Sequence, residues 1–98
     1  MSKNLNQLFD LTDKVFVITG AAGLLGKKHA EVVAAYGGNP VLLDLSQEVV
    51  EALAGELQER FGVIAAGYAV DITVESQIAA NVKNVIDRFN KIDGLVNE

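Results

Sequence analysis

The sequence predicts an α/β protein built on a doubly wound parallel sheet with helices on both faces. Three observations carry this prediction. Short apolar runs recur without polar alternation, at Val15–Ile18, Val41–Leu43 and within Val63–Val70. A strand covered on both faces has that pattern. Stretches with apolar residues at helical spacing lie between these runs, and glycines or a proline mark the junctions. Strand, helix, strand, helix, strand, helix, strand is the alternation of an α/β sheet, and right-handed crossovers place its helices on the sheet faces.

The elements follow in order. Residues 1–13 read as a lead-in, in which Leu5, Leu8 and Phe9 pack as a helical turn or a docked arm. Val15-Phe16-Val17-Ile18 is the first strand, and Thr19-Gly20-Ala21-Ala22-Gly23 is a turn of small residues. Leu25 to Tyr36 is the first helix, with Gly26, Ala30, Val33 and Ala34 on one face. Gly37-Gly38 stops it, because glycine accepts the left-handed conformation just past a helix end. Pro40 marks the start of the second strand, Val41-Leu42-Leu43, and Asp44 stands at its end. Ser46 is the expected N-cap of a second helix, with Glu48 in its positive first turn. Val49, Leu53, Leu57 and Phe61 are its expected buried stripe, and Gly62 is its stop. The third strand lies within Val63–Val70 and contains Gly67, a weak point or a site of close approach. After the turn Asp71-Ile72-Thr73, a third helix carries the stripe Ile78, Val82, Val85, Ile86 and Phe89. Lys91–Asp93 leads to a fourth strand at Gly94-Leu95-Val96.

Composition removes whole classes of function. Ninety-eight residues suffice for one domain and not for two. Half the residues are hydrophobic, which is the composition of a folded chain. The formal net charge of −5 repels phosphate backbones, so nucleic acid is not an expected partner. No cysteine is present, which excludes disulfides, thiolate metal sites and cysteine nucleophiles. The single histidine, His29, sits beside the packed face of the first helix, and no metal site is expected. No apolar run approaches the roughly 20 residues of a membrane span, and Met1–Asp10 lacks the apolar core of a signal peptide. No membrane is expected as partner, and the cytoplasm is the expected location.

The sharpest local signal is Thr19-Gly20-Ala21-Ala22-Gly23-Leu24-Leu25-Gly26, which joins a buried strand to a helix. Gly20 suits the tight turn, Gly23 lets a ligand approach the backbone, and Gly26 lets the helix pack near the sheet. The free amides at the helix start then face an anion such as a pyrophosphate. The spacing is T-G-x-x-G-x-x-G rather than G-x-G-x-x-G. A phosphate-binding P-loop would need glycine at position 21 and a hydroxyl residue at 28, where the chain has Ala21 and Lys28. Asp44 follows Gly20 by 24 positions, where a dinucleotide fold uses an acid to hold the adenosine ribose. Its charge disfavours a 2′-phosphate, so NAD is expected over NADP. Asp71 ends the third strand. It serves there either as an acceptor for an adenine amino group or as an Asx-turn or cap that starts the third helix. Tyr36 and Tyr68 read as packing residues.

These pieces together resemble the short-chain dehydrogenase/reductase superfamily, from about Phe9 onward. The resemblance rests on Lys14-Val15-Phe16-Val17-Ile18-Thr19-Gly20, the glycine turn, Asp44, Val70-Asp71-Ile72-Thr73 and Ile92-Asp93-Gly94-Leu95-Val96-Asn97. The last piece is similar to the family's fourth strand leading into its Asn-Asn-Ala-Gly motif. The glycine turn and Val41-Leu42-Leu43-Asp44 also resemble bacterial oxidoreductases of flagellin modification and surface-sugar biosynthesis. One departure is Leu24, which stands where the common T-G-x-x-x-G-x-G turn has glycine; the glycine comes one position earlier, at Gly23.

The resemblance implies a Rossmann-like sheet of strand order 3-2-1-4 that binds NAD across the strand C-terminal edge. Gly20, Gly23 and Gly26 shape its phosphate site, and Leu24 and Leu25 contribute backbone groups. Asp44 holds the ribose, Asp71 and Ile72 flank adenine, and Asn97 lines the cofactor side of the fourth strand. In an intact protein the cofactor exchanges hydride with an alcohol or carbonyl substrate. The family's catalytic Tyr-x-x-x-Lys has no counterpart, since Tyr36 is followed four residues on by Pro40 and Tyr68 by Ile72. The chain is thus expected to be the cofactor-binding half of a longer enzyme, without catalytic residues. Its Gly94-Leu95-Val96 edge would lie unpaired, and self-association through that edge is expected. Two other readings are a non-catalytic nucleotide-binding or regulatory module, and a receiver-like domain with acids at the strand ends. The second has no use for the glycine spacing.

Overall fold

A computed structural model describes residues 10–97. The arm expected at Leu5, Leu8 and Phe9 lies outside the described residues. Seven elements alternate: β1 (Val15–Thr19), α1 (Leu24–Ala35), β2 (Asn39–Asp44), α2 (Gln47–Phe61), β3 (Ala66–Ala69), α3 (Glu75–Phe89) and β4 (Gly94–Val96). The strands form one sheet in the order β3-β2-β1-β4, and every pairing is parallel. Val15 lies opposite Asn39, Phe16 opposite Gly94 and Val41 opposite Ala66.

The strand side chains alternate between two cores. Ile18 and Leu42 pack with Ala30, Val33, Val50 and Leu57, from α1 and α2. Val15, Val17, Val41 and Leu43 pack on the other face with Val70 and with Val85 of α3. Val15–Ile18 and Val41–Leu43 therefore face apolar layers on both sides of the sheet, which accounts for their unbroken hydrophobic runs.

α1 starts at Leu24, one residue before the expected start, and buries the expected Gly26, Ala30, Val33 and Ala34. Its end is a glycine stop. Gly37 has φ +88°, its N–H donates to Ala34 O, and the Gly38 N–H donates to Val33 O. Those two bonds satisfy carbonyls that the helix end would leave open. α2 has the expected Ser46 cap, whose Oγ accepts from the Val49 N–H at 3.3 Å, and it ends at Gly62 with φ +69°. Leu53 and Leu57 of the expected stripe are buried and Phe61 packs partly buried on the same core, so the stripe differs at Val49. Val49 is 46% exposed, and Val50, Leu53, Ala54 and Leu57 face the core. Val49 and Val50 both fit the helical spacing. Gly67 selects between them, because a Cβ there would lie 2.6 Å from the Val50 carbonyl carbon and oxygen. α2 presses its Val50 turn directly onto the bare backbone of β3.

α3 differs most from its sequence pattern. It buries Val85 and Asn81, while Ile78, Val82 and Ile86 stay 40–45% exposed. The stripe is present, but α3 is the one described helix on its face of the sheet, so much of the stripe has nothing packed over it.

Candidate functional site

The glycine turn links β1 to α1 at the C-terminal edge of the sheet. Gly20 has φ +62°, a conformation glycine adopts without strain. Its carbonyl accepts from the Gly23 N–H at 3.0 Å, which closes the turn. The Ala21 N–H donates to Leu43 O at 3.1 Å and ties the turn to the end of β2. A Cβ on Gly26 would stand 2.3 Å from Gly20 O and 2.9 Å from the Ala21 Cα. Only glycine lets the helix start this close to the turn.

The N-terminus of α1 is open. Gly23 is its N-cap, no side chain caps it, and its first turn holds no acid. The amides of Leu24, Leu25 and Gly26 have no intrahelical acceptor, since the first bond within the helix is Lys27 N–H to Gly23 O. The Leu24 and Leu25 side chains are exposed, 79% and 61%, and do not cover those amides with a buried apolar layer. The result is a positive helix end with room for an anion.

Asp44 joins this turn. Its Oδ2 accepts from the Ala22 N–H at 2.9 Å, and its Oδ1 from the Leu45 N–H at 2.7 Å. The acid predicted from the end of β2 and the predicted glycine turn thus meet, through an amide that the sequence pattern does not single out. The Asp44 carbonyl in turn accepts from the Val70 N–H at 2.8 Å, which brings the end of β3 alongside.

Asp71 makes the Asx-turn, one of the two roles that its position after β3 offers. Its Oδ1 accepts from the Thr73 N–H and from the Thr73 hydroxyl, 3.0 and 2.6 Å. The hydroxyl, then the amide, hold its carboxyl below the ordinary value. It does not cap α3; Val74 occupies that position. Ile72 beside it is 43% exposed. Asn97 follows β4, and its Oδ1 accepts from the buried Thr19 hydroxyl at 2.9 Å. Thr19 and Asn97 thus cross-link the ends of β1 and β4. They stand at one wall of a cavity of about 340 Å³, with Ile72, Val70 and Leu43. Sequence reasoning gives Ala21 and Ala22 a role only through their small size and gives Thr19 none beyond its place in the motif; their hydrogen bonds to Leu43 O, Asp44 and Asn97 come from the structure. Their contributions are backbone amides and a cross-strand hydroxyl, which leave no residue-type signature.

A parallel sheet whose connections reverse beside β1, with an open glycine turn at the reversal, belongs to the doubly wound α/β class that takes ligands at this edge. Residues 14–98 match the short chain dehydrogenase family model. The chain belongs to that family. It is 36% identical over 95 residues to the NAD-dependent glycerol dehydrogenase of Listeria innocua, covering 97% of this chain and 36% of that protein. Among solved structures it is similar to L-sorbose reductase from Gluconobacter frateurii complexed with NADPH and L-sorbose. That match has a TM-score of 0.87 and 33% identity, over 92% of this chain and 34% of the other. It is also similar to an NAD⁺-bound xylitol dehydrogenase, with a TM-score of 0.77 and 32% identity, over 87% and 32%. The chain spans about a third of the length of the relatives it matches. Their cofactors include both NAD⁺ and NADPH. Among the described residues no helix is long and apolar enough to cross a membrane.

Proposed function

We propose that this chain holds the nicotinamide dinucleotide of a short-chain dehydrogenase, with preference for NAD over NADP. The observation that carries the reading is the hydrogen bond from the Ala22 N–H to Asp44 Oδ2, which puts the acid and the open glycine turn in one site. The residues fit such a cofactor. Gly20, Gly23 and Gly26 leave the backbone bare, and the amides of Leu24, Leu25 and Gly26 offer donors to a pyrophosphate. Asp44 accepts from ribose hydroxyls and repels a 2′-phosphate. Asp71 keeps Thr73 on Oδ1 and offers Oδ2 to an adenine amino group, with Ile72 against the ring. Asn97 borders the cofactor side of β4.

Bound there, the dinucleotide supplies hydride chemistry toward an alcohol or carbonyl substrate in the intact enzyme. This chain's own part is to bind and orient. It contains no Tyr-x-x-x-Lys, so turnover by the 98 residues alone is not expected. We assign the protein to the cytoplasm. We also propose that it self-associates through the exposed edge at β4.

Isothermal titration of the chain with NADH and NADPH tests the cofactor reading. NADH should bind, and NADPH should bind at least about tenfold more weakly. Asp44→Ala should weaken NADH by about 10–100-fold, as expected for hydrogen bonds to a charged group. Absence of NADH binding, or a preference for NADPH that Asp44→Ala leaves unchanged, would overturn it.

A further inference from the structure

Three successive amides fix the end of β3. The Ala69 N–H donates to Gln47 Oε1 at 2.7 Å, the Val70 N–H to Asp44 O at 2.8 Å, and the Asp71 N–H to Gln77 Oε1 at 2.8 Å. Along an extended chain alternate amides point to the same side. The middle one faces β2, so the outer two face away from it. Each of those is met by a glutamine carboxamide, and the two come from helices on opposite faces of the sheet. Gln47 is the first residue of α2, and Gln77 lies in the first turn of α3. Gln47 is itself braced, donating from Nε2 to Gly67 O at 3.0 Å and to Glu51 Oε1 at 2.9 Å.

The outermost of these bonds ends on Asp71, the acid placed above against adenine. Its N–H is held by Gln77, and its carbonyl accepts from the Val74 N–H at 3.0 Å. Its Oδ1 accepts from the amide and hydroxyl of Thr73. Oδ2 has no partner among the described residues. A side chain whose other polar groups are already fixed loses little freedom when its last oxygen takes a donor. Thr73 and Val74 belong to the same turn as Asp71 and keep that turn in shape. Gln77 does something else. Its own N–H donates to Val74 O at 3.0 Å while its side chain reaches back to Asp71, so it ties both ends of the turn to α3. Without that acceptor the turn would keep its shape and pivot about the end of β3.

We infer that Gln77 is a positioning residue for recognition of the adenine base: it fixes the Asp71 main chain so that Oδ2 meets a 6-amino group, and through it the site separates 6-aminopurine dinucleotides from 6-oxopurine ones. This deepens the cofactor reading above and rests on it. A 6-amino group gives Oδ2 a donor. A 6-oxo group turns an acceptor oxygen toward a carboxylate, which can only accept. Gln77 acts through Asp71 and makes no contact of its own with the base.

Isothermal titration of the 98-residue chain with NADH and with reduced nicotinamide hypoxanthine dinucleotide tests this. The second ligand carries a carbonyl where adenine has its amino group. The wild type should bind NADH about 10–100-fold more tightly, as expected for a hydrogen bond to a charged group. Gln77→Met keeps the side-chain length and removes the acceptor. It should weaken NADH about 3–10-fold and leave the hypoxanthine dinucleotide and the far-UV circular dichroism unchanged. Gln77→Glu keeps an acceptor oxygen and should return the ratio of the two affinities to within about twofold of wild type. Asp71→Ala should bind both dinucleotides alike, and adding Gln77→Met to it should change neither affinity. Absence of NADH binding by the wild type overturns the cofactor reading and this inference with it. The role of Gln77 alone is overturned by NADH binding without discrimination, by equal losses for both dinucleotides in Gln77→Met, by a ratio that Gln77→Met leaves at the wild-type value or Gln77→Glu fails to restore, or by a Gln77→Met effect that persists without Asp71.

Discussion

Gly26 shows how much one missing carbon decides. The atom a Cβ would strike is Gly20 O, a backbone oxygen inside a turn that is itself bonded to Gly23. Neither side can swing away as a flexible side chain would. Gly26→Ala should cost about 1–3 kcal/mol by overpacking and weaken NADH by more than tenfold, read by thermal melting and titration. Asp93 is the other telling residue. Its Oδ2 accepts from the Val15 N–H at 2.8 Å, and its own N–H donates to Val15 O at 2.8 Å. The pair of bonds sets the register in which β4 meets β1. The Val15 N–H, and then Lys91 at 3.2 Å, hold the Asp93 carboxyl below the usual value. A folded pKa below the unfolded one, about 3.9, contributes stability that is full above that value and lost as pH falls through the folded one. Asp93→Asn should therefore lower the melting temperature at pH 7, with the gap to wild type closing below about pH 4. A gap that stays constant down to pH 3 would contradict this role. The sequence carried no sign of it, because an acid before a strand reads as any loop acid.

The stops of α1 and α2 and the cap of α2 were legible, and which valine of α2 is buried was not. Ser46, Gly37 and Gly62 act as the local chemistry of caps requires, through contacts within a few residues. Which of Val49 and Val50 turns inward depends on β3, some distance along the chain. The two are equal candidates by type and spacing, and the bare backbone at Gly67 admits the Val50 turn. Gly67→Ala should push α2 off β3 and cost about 1–3 kcal/mol in denaturant unfolding, while the neighbouring exposed Val49→Ala should stay within about 0.5 kcal/mol. Equal effects at the two sites would mean that Gly67 does not make that choice. At α3 the stripe was legible as a pattern. Its exposure was not, since helical spacing says which face is apolar and nothing about what covers it.

The molecule as a whole is a sheet with one full layer and one partial layer. Ile18, Leu42, Val50 and Leu57 are fully buried beneath α1 and α2. Val15, Val17, Val41 and Leu43 have only α3 above them among the described helices. Stability therefore rests on the α1–α2 side. Leu42→Ala should cost about 2–5 kcal/mol, a large share of what a small domain holds, and far more than Val82→Ala on the open side. Comparable losses from the two substitutions would show that the α3 side is covered in solution. The acidic net charge of −5 opposes association of copies at long range, so added salt should strengthen any pairing.

The sequence by itself determined the order of elements, the glycine stops of α1 and α2, the Ser46 cap of α2, the parallel sheet and the presence of a glycine turn followed by an acid. All of these are written in local spacing, in residues that act on neighbours a few positions away. Tertiary structure decided the rest: that Ala22 and Asp44 bond each other, that Thr19 reaches Asn97, that Val50 rather than Val49 is buried, and that Gln47 bonds the outer side of β3. Each of those depends on how a helix is rolled against a sheet or which strands lie side by side. Such choices are made by packing between segments distant in the chain, and no single segment records them.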